Sequence, residues 1–363
     1  MRTALALPLL FLSATLAVAA AEPAVGPAPA GPSKLNADAR YRFEWSETQA
    51  QPDDHDHLLR LRVGAEATLC DEASAGVRLS TGGHNPAAAD QELGEHWAGV
   101  RIDLGYLKWN PQAAGGLTLL AGRMEKPFLC VQDLVWDGDF NPDGLAAKYV
   151  VRGESADWLF NAGGFTADLW SDADGVRFLT GQAAVRLKPT EDAHVLLGLG
   201  GYGFEGIRGR RMLYGNRAFG NRTTGAGRAA EFTEDYREVE AFAEASADLL
   251  IRVTAYGQYV VNSALGAGND GWLAGLCLGR AKAVNSLEVG YNYRRLGADA
   301  AVGAFTDSDF AGGGTDAEGH KIYIRYQATA ELQFGMAWFA DTLHPSGAEL
   351  YFHRFQVDAA YKF

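Results

Sequence analysis

Tyr351-Phe-His-Arg-Phe-Gln-Val-Asp-Ala-Ala-Tyr-Lys-Phe363 decides the fold. Phe355, Val357, Ala359, Tyr361 and Phe363 share one parity, and Arg354, Gln356, Asp358, Ala360 and Lys362 share the other. Successive side chains of a strand point to opposite faces, so the segment has an apolar face and a mostly polar one. An unpaired amphipathic strand at the end of a chain is an open edge that invites aggregation. In a closed barrel the same strand pairs with the first one and no edge remains. The reading is an all-β transmembrane antiparallel barrel whose last strand closes the ring.

The rest of the composition bears on this. The chain has 363 residues, a formal charge of −13 and 44 glycines. An acidic surface excludes nucleic acid as a partner. No internal run of about 18 apolar residues exists, which excludes a helical membrane bundle. Slightly negative mean hydropathy with 47% hydrophobic residues suits a barrel, whose lumen-facing rows dilute the lipid-facing ones. Arg2, the apolar Ala4 to Val18 and the small residues ending at Ala21 read as a cleaved secretory signal over residues 1–21. Residues 22–37 form a Pro- and Ala-rich leader, and the barrel occupies 38–363. Cys70, Cys130 and Cys277 are too few for a disulfide framework and read as small buried or turn residues.

Sixteen strand-like segments follow, near 38–46, 58–69, 73–81, 97–109, 116–124, 144–152, 157–167, 176–188, 193–204, 236–247, 249–262, 270–280, 286–296, 320–328, 330–342 and 350–363. Leu59, Leu61 and Val63 alternate with Arg60 and Arg62; Ile251, Val253 and Ala255 with Arg252 and Thr254; Phe334, Met336 and Trp338 with Gly335 and Ala337. Segment 97–109 alternates less well, because Leu107 and Trp109 share parity with Arg101 and Asp103; 144–152 also alternates poorly. Short links follow even segments, and longer ones (82–96, 125–143, 205–235, 297–319) generally follow odd ones. Bacterial outer-membrane barrels have even strand counts, short periplasmic turns and longer extracellular loops. Both chain ends then face the periplasm. A soluble sandwich would need polar outer faces, and a propeller would show a blade repeat that is absent.

Against this background the chain resembles bacterial outer-membrane porins, and within them the family called "putative porin". The resemblance is carried by Gly122-Arg-Met-Glu-Lys-Pro-Phe128, Trp136-Asp-Gly-Asp-Phe-Asn-Pro-Asp-Gly144, Gly290-Tyr-Asn-Tyr-Arg-Arg-Leu296, Phe305 to His320 and Tyr361-Lys-Phe363. It covers roughly residues 38 to 363. It implies a sixteen-stranded water-filled channel for passive diffusion of small hydrophilic solutes and ions, often a homotrimer, whose last strand is read by the barrel-assembly machinery. It further implies that the loop near 125–143 folds inward as a constriction. That loop can pack Phe128, Leu134 and Trp136 on a wall while Glu125, Asp133, Asp137, Asp139 and Asp143 present charge to the channel. Arg60, Arg62, Arg78, Arg101 and Arg123 are the basic lining opposite. Rows of opposite charge set up a transverse field that sorts polar solutes. The plainer reading is that these arginines pair with strand neighbours as scaffold. Arg123 has the parity of Leu119 and Ala121, on the lipid side, so facing inward requires a bulge or rests on the resemblance.

Other motifs carry less. Asp137 to Gly144 looks like a calcium loop, but its sixth position is Pro142 and its twelfth Lys148, where Gly and Glu are needed. Asp307, Asp309 and Asp316 raise the same question with less regular spacing. Gly198-Leu-Gly-Gly-Tyr-Gly203 lies inside a strand with no helix after it, which rejects a dinucleotide site. Arg208, Arg210, Arg211, Arg217, Arg222 and Arg228 belong to a loop that is solvated by default; the alternatives are contact with outer-membrane lipid and lipopolysaccharide phosphates, or funnelling of anions. No histidine or serine motif of catalysis is present, and His55, His57 and His353 are the only rim candidates for an enzyme. No cofactor, metal or catalytic residue is assigned. The alternatives to a diffusion pore are a substrate-specific outer-membrane channel and, behind it, a barrel enzyme.

Overall fold

A computed structural model describes residues 34–363 except 84, 86, 95–98, 169–174, 226 and 267–268. The expected signal segment and most of the leader therefore lie outside the described residues. Sixteen long strands form one antiparallel sheet in chain order: β1 Lys34–Thr48, β2 Asp54–Cys70, β3 Ala73–Thr81, β4 Val100–Trp109, β5 Leu117–Arg123, β6 Asp143–Arg152, β7 Ala156–Asp168 and β8 Val176–Thr190. β9 Ala193–Glu205, β10 Arg237–Asp248, β11 Arg252–Asn262, β12 Asp270–Gly279, β13 Ser286–Leu296, β14 Ala317–Gln327, β15 Leu332–Leu343 and β16 Leu350–Lys362 complete it. β16 then pairs back on β1, from Asp38 opposite Lys362 to Thr48 opposite Phe352, so the sheet is closed. β1 begins at Lys34, four residues before the expected start at Asp38, and Lys34 to Ala37 already pair with Glu66 to Val63.

The period-two pattern has its physical meaning here. Phe334 remains 45% exposed, and Leu61, Val63, Ile251, Tyr259, Met336 and Trp338 are likewise on the outer surface, where they meet hydrocarbon. An aromatic belt runs along the rim that carries the long loops: Trp45 stacks on Trp338 at 6.1 Å, and Trp338 on His353 at 5.6 Å. Links such as 71–72, 153–155 and 191–192 close one rim, whereas 124–142, 206–236 and 297–316 belong to the other.

β4 explains its own poor alternation. Arg78 pairs with Leu104 but Leu79 pairs with Ile102, so Asp103 is the extra residue of a bulge. The bulge reverses parity part-way along the strand. Leu107, Trp109, Ile102 and Val100 are exposed on the outside, while Asp103 is buried inside. Some glycines make room for lumen rings rather than for turns. A Cβ on Gly198 would meet the Phe242 ring at 2.2 Å, and one on Gly290 would meet the Tyr323 ring at 2.2 Å; both are cross-strand pairs.

The interior is divided. Along β6 to β13 it is filled by an apolar core in which the inward loops 124–142, 206–236 and 297–316 pack on the wall. Trp136, 2% exposed, sits at its centre, 5.2 Å from Phe140, 5.3 Å from Phe178 and 5.1 Å from Tyr202. The remaining wall, β16 and β1 to β4, carries arginines. The loop 206–236, read from sequence as solvated, buries Ile207, Met212, Leu213, Phe232 and Tyr236. Its Arg222 turns to Asp299 of the neighbouring loop, with Nε 3.6 Å from a carboxylate oxygen.

Candidate functional site

The inward loop 124–142 positions the acidic groups because its apolar residues anchor it to one wall. Met124, Phe128, Leu134, Val135, Trp136 and Phe140 are all buried. Its hydrogen bonds then tie it to the loop 297–316: the Asp137 amide donates to the Phe305 carbonyl at 2.7 Å, and the Ser308 amide donates to Asp137 Oδ2 at 2.9 Å. Lys126 Nζ donates to the Asp137 carbonyl. The charged edge of this double loop faces the arginine wall across a cavity of about 220 Å³.

Of the acidic residues expected to line the channel, Asp139 lies closest to that wall. Arg60 Nη1 is 3.1 Å and Arg62 Nη1 3.5 Å from its carboxylate. Burial alone would raise its pKa, but Arg60, then Arg40 and Arg62, outweigh this and hold it below the usual carboxylate range. Asp133 binds Arg294 at 2.7 Å and Lys321 at 3.4 Å. Asp143 pairs with Arg123 at 2.6 Å, and Glu125 with Arg78 at 3.2 Å. Asp137 departs from the expectation of a charge offered to the channel. Its two carboxyl oxygens accept from the Asp139 amide at 2.7 Å and the Ser308 amide at 2.9 Å, and it is only 6% exposed. Burial, then Asp307 and Asp139, push its carboxyl well above the ordinary range.

On the basic side, Arg62 also holds Asp38 at 2.9 Å, and Arg78 donates to the buried Asp103 at 2.6 Å. Arg101, turned inward by the β4 bulge, donates to the Asn85 carbonyl at 2.6 Å. Arg123 follows Gly122, whose φ is +111°, in a ladder without a register shift, and lines a second cavity together with Arg101, Asp103 and Asp139. Each of these arginines thus has protein partners, as the scaffold reading expects, and several of them also border open space.

Sequence reasoning missed half of the cluster. Arg42 reaches Asp358 at 2.6 Å and Asp309 at 3.1 Å; Arg354 reaches Glu44 at 3.1 Å and Asp309 at 3.4 Å. Arg40 pairs with Asp90 at 2.5 Å. Arg294 bridges Asp133 and Asp307, at 2.7 and 2.9 Å. In that pair burial is opposed by Arg294 and Lys321, which keep Asp133 ionised, while burial and then the Asp133 charge raise Asp307. The parity of Arg40, Arg42 and Arg354 was a usable signal, since all alternate with outward aromatic or aliphatic residues. His55, His57 and His353, the rim histidines, lie among the aromatic belt: His57 Nδ1 is 2.6 Å from the Tyr41 hydroxyl, and His55 stacks on Phe43 at 6.4 Å.

The raised carboxyl of Asp137 has a pH consequence. An unfolded aspartate titrates near about 3.9, so the docked loop binds the extra proton, and docking is strongest while Asp137 stays protonated. Docking is expected to weaken as pH rises through the raised value. Limited proteolysis of the loop from about pH 5 to 9 should show faster cutting at the alkaline end, and Asp137→Asn should flatten the profile. A flat wild-type profile would refute the assignment.

A family model described as "putative porin" matches residues 27–235 and 229–363. The chain belongs to this family. It is an outer-membrane porin by that membership, and the fold agrees with solved barrels. OprB of Pseudomonas putida, solved at high pH, is 13% identical over 91% of this chain and 94% of its own, with a TM-score of 0.60. The outer-membrane channel DcaP of Acinetobacter baumannii is 12% identical over 91% and 96%, with a TM-score of 0.51. OmpT of Vibrio cholerae, in its trimer form, is 13% identical over 91% and 99%, with a TM-score of 0.51. No curated protein matches the sequence of this porin.

Proposed function

We propose that this porin passes small hydrophilic solutes and ions by passive diffusion, with the loop 124–142 as its constriction. The observation that carries this is the approach of Asp139 to Arg60 and Arg62 across the barrel, at 3.1 and 3.5 Å. Apolar packing of the loop on one wall leaves the solute path against the arginines of the other. There the width excludes large solutes, and the field between the acidic loop edge and the basic wall orients and sorts small ones. Under this reading the barrel transports and does no catalysis. The chain is exported by its N-terminal signal, inserted into the outer membrane by barrel-assembly machinery, and works as a homotrimer, as the solved trimer form of OmpT suggests by analogy.

Planar-bilayer conductance of refolded protein, with reversal potentials in a salt gradient, tests this. Asp139→Asn is expected to shift selectivity toward anions. A unit charge about 4 Å from an ion in water-like surroundings is worth about 1 kcal/mol, so the cation-to-anion permeability ratio should fall by up to about fivefold. Asp137→Asn should change it far less, because that carboxyl is buried, held by two backbone amides and has its pKa raised by burial. Absence of stepwise ohmic openings would remove the channel; an unchanged reversal potential in Asp139→Asn would move the constriction elsewhere.

A further inference from the structure

On the periplasmic side of the constriction lies a cavity of about 380 Å³ with a different charge balance. Lys34, Arg78, Lys108, Lys126 and Lys148 line it, against Glu66 and Glu125. Two of the five cations are answered at ion-pair distance: Lys108 by Glu66 at 2.6 Å, and Arg78 by Glu125 at 3.2 Å. Lys126 donates to a backbone carbonyl, that of Asp137, and not to a carboxylate. Among the described residues, Lys34 and Lys148 have no carboxylate within ion-pair distance. Lys148 faces inward because its strand neighbours Tyr149 and Val151 are on the outer surface and Ala146, of its own parity, is buried.

These three ammonium groups come from separate elements: the start of β1, the root of the inward loop and the middle of β6. No local sequence pattern requires all three to line one partly enclosed space. Between them the wall is formed by Tyr106, Leu104, Leu120 and Met124. A cavity of this size, with an apolar floor and several basic side chains in its lining, has the dimensions of a small-molecule site.

We infer that this vestibule binds small multivalent anions, carboxylates or phosphates on a short carbon frame, as they pass to or from the periplasm. The inference rests on the channel reading for its role and on the cavity alone for the site. A divalent or trivalent anion engages several ammonium groups at once, which chloride cannot, so it is retained in preference to the bulk anion. Tyr106 supplies a hydroxyl beside them, and the leucines receive the carbon frame.

The test uses the full-length barrel refolded in detergent, with citrate and inorganic phosphate as probes titrated by calorimetry in chloride buffer. Citrate binding should appear at millimolar concentration or below. Lys148→Ala should weaken it about tenfold, and Glu125→Gln, which removes a competing carboxylate, should strengthen it. In bilayers, citrate added from the periplasmic side should reduce chloride-borne conductance more than citrate added from the other side. No citrate binding by the wild type, or equal affinity in Lys148→Ala and Glu125→Gln, overturns the site. A barrel that conducts normally but ignores citrate loses the site and keeps the channel. One that binds citrate with the expected Lys148 dependence, yet never opens, loses the channel and keeps the site.

Discussion

Excising Leu129–Asp139 and joining the ends with a short glycine-serine link should raise single-channel conductance roughly twofold or more, since the narrowest part of a pore sets its resistance. The sheet is expected to survive, because the strand-to-strand ladder closes through β1 and β16 without the loop. What goes is the plug: Leu134, Val135 and Trp136 leave the interior, and Phe140, Phe178 and Tyr202 lose the indole ring packed against them. Loss of the Trp136 side chain alone costs about 3–5 kcal/mol in a well-packed core, so Trp136→Ala should reproduce part of the effect as a noisy, wider channel. Conductance unchanged by the excision, in protein that still runs as a folded barrel on unheated gels, would show that solutes never pass this loop.

Replacing Arg294 by Met should be the most damaging single change. Arg294 is 1% exposed, holds Asp133 and Asp307 at 2.7 and 2.9 Å, and lies over the Phe310 ring at 4.9 Å. Removing one partner of a buried ion cluster strands the rest, at a cost of about 3–5 kcal/mol. Lys321, at 3.4 and 3.7 Å from the same two carboxylates, cannot cover both. The loops 124–142 and 297–316 should loosen together. Adding Asp307→Asn, which leaves Asp133 paired with Lys321 at 3.4 Å, should recover most of the loss. By contrast Arg295, whose side chain is half exposed and 3.8 Å from Glu318, should tolerate alanine with a change of about 0.5 kcal/mol or less. Thermal or denaturant unfolding in detergent measures all three variants; equal stability of Arg294→Met and wild type would remove the cluster from the account of loop docking.

The sheet was legible in the sequence because lipid on one side and polar lumen on the other enforce alternation at nearly every rung. Strand bounds came within a few residues, and the two best, 73–81 and 286–296, coincide with those observed. Alternation failed where the chain breaks it, at the β4 bulge around Asp103. The interior was far less legible. Packing between loops distant in sequence leaves no periodic trace, so the convergence of Trp136, Phe204, Tyr236 and Phe305 could not be read from spacing. A weaker signal existed: Ile207, Met212, Leu213, Phe232 and the run Ala300 to Phe305 are too apolar for loops bathed in water. Asp307 and Asp309 were noticed as acids, but their partners Arg294, Arg42 and Arg354 sit on three different strands, and only the closed sheet brings them together.

The seam between the first and last strands has a temporal side. Its side-chain links, such as Gln356 to Glu44 and Arg42 to Asp358, span 312 and 316 residues. While the polypeptide is still arriving, neither margin of the growing sheet has a mate, and a half-made ribbon bears raw amide and carbonyl rows on both flanks. Such distant pairing is slow to find unaided. Closure of β16 on β1 is therefore expected to be a late and slow step of folding.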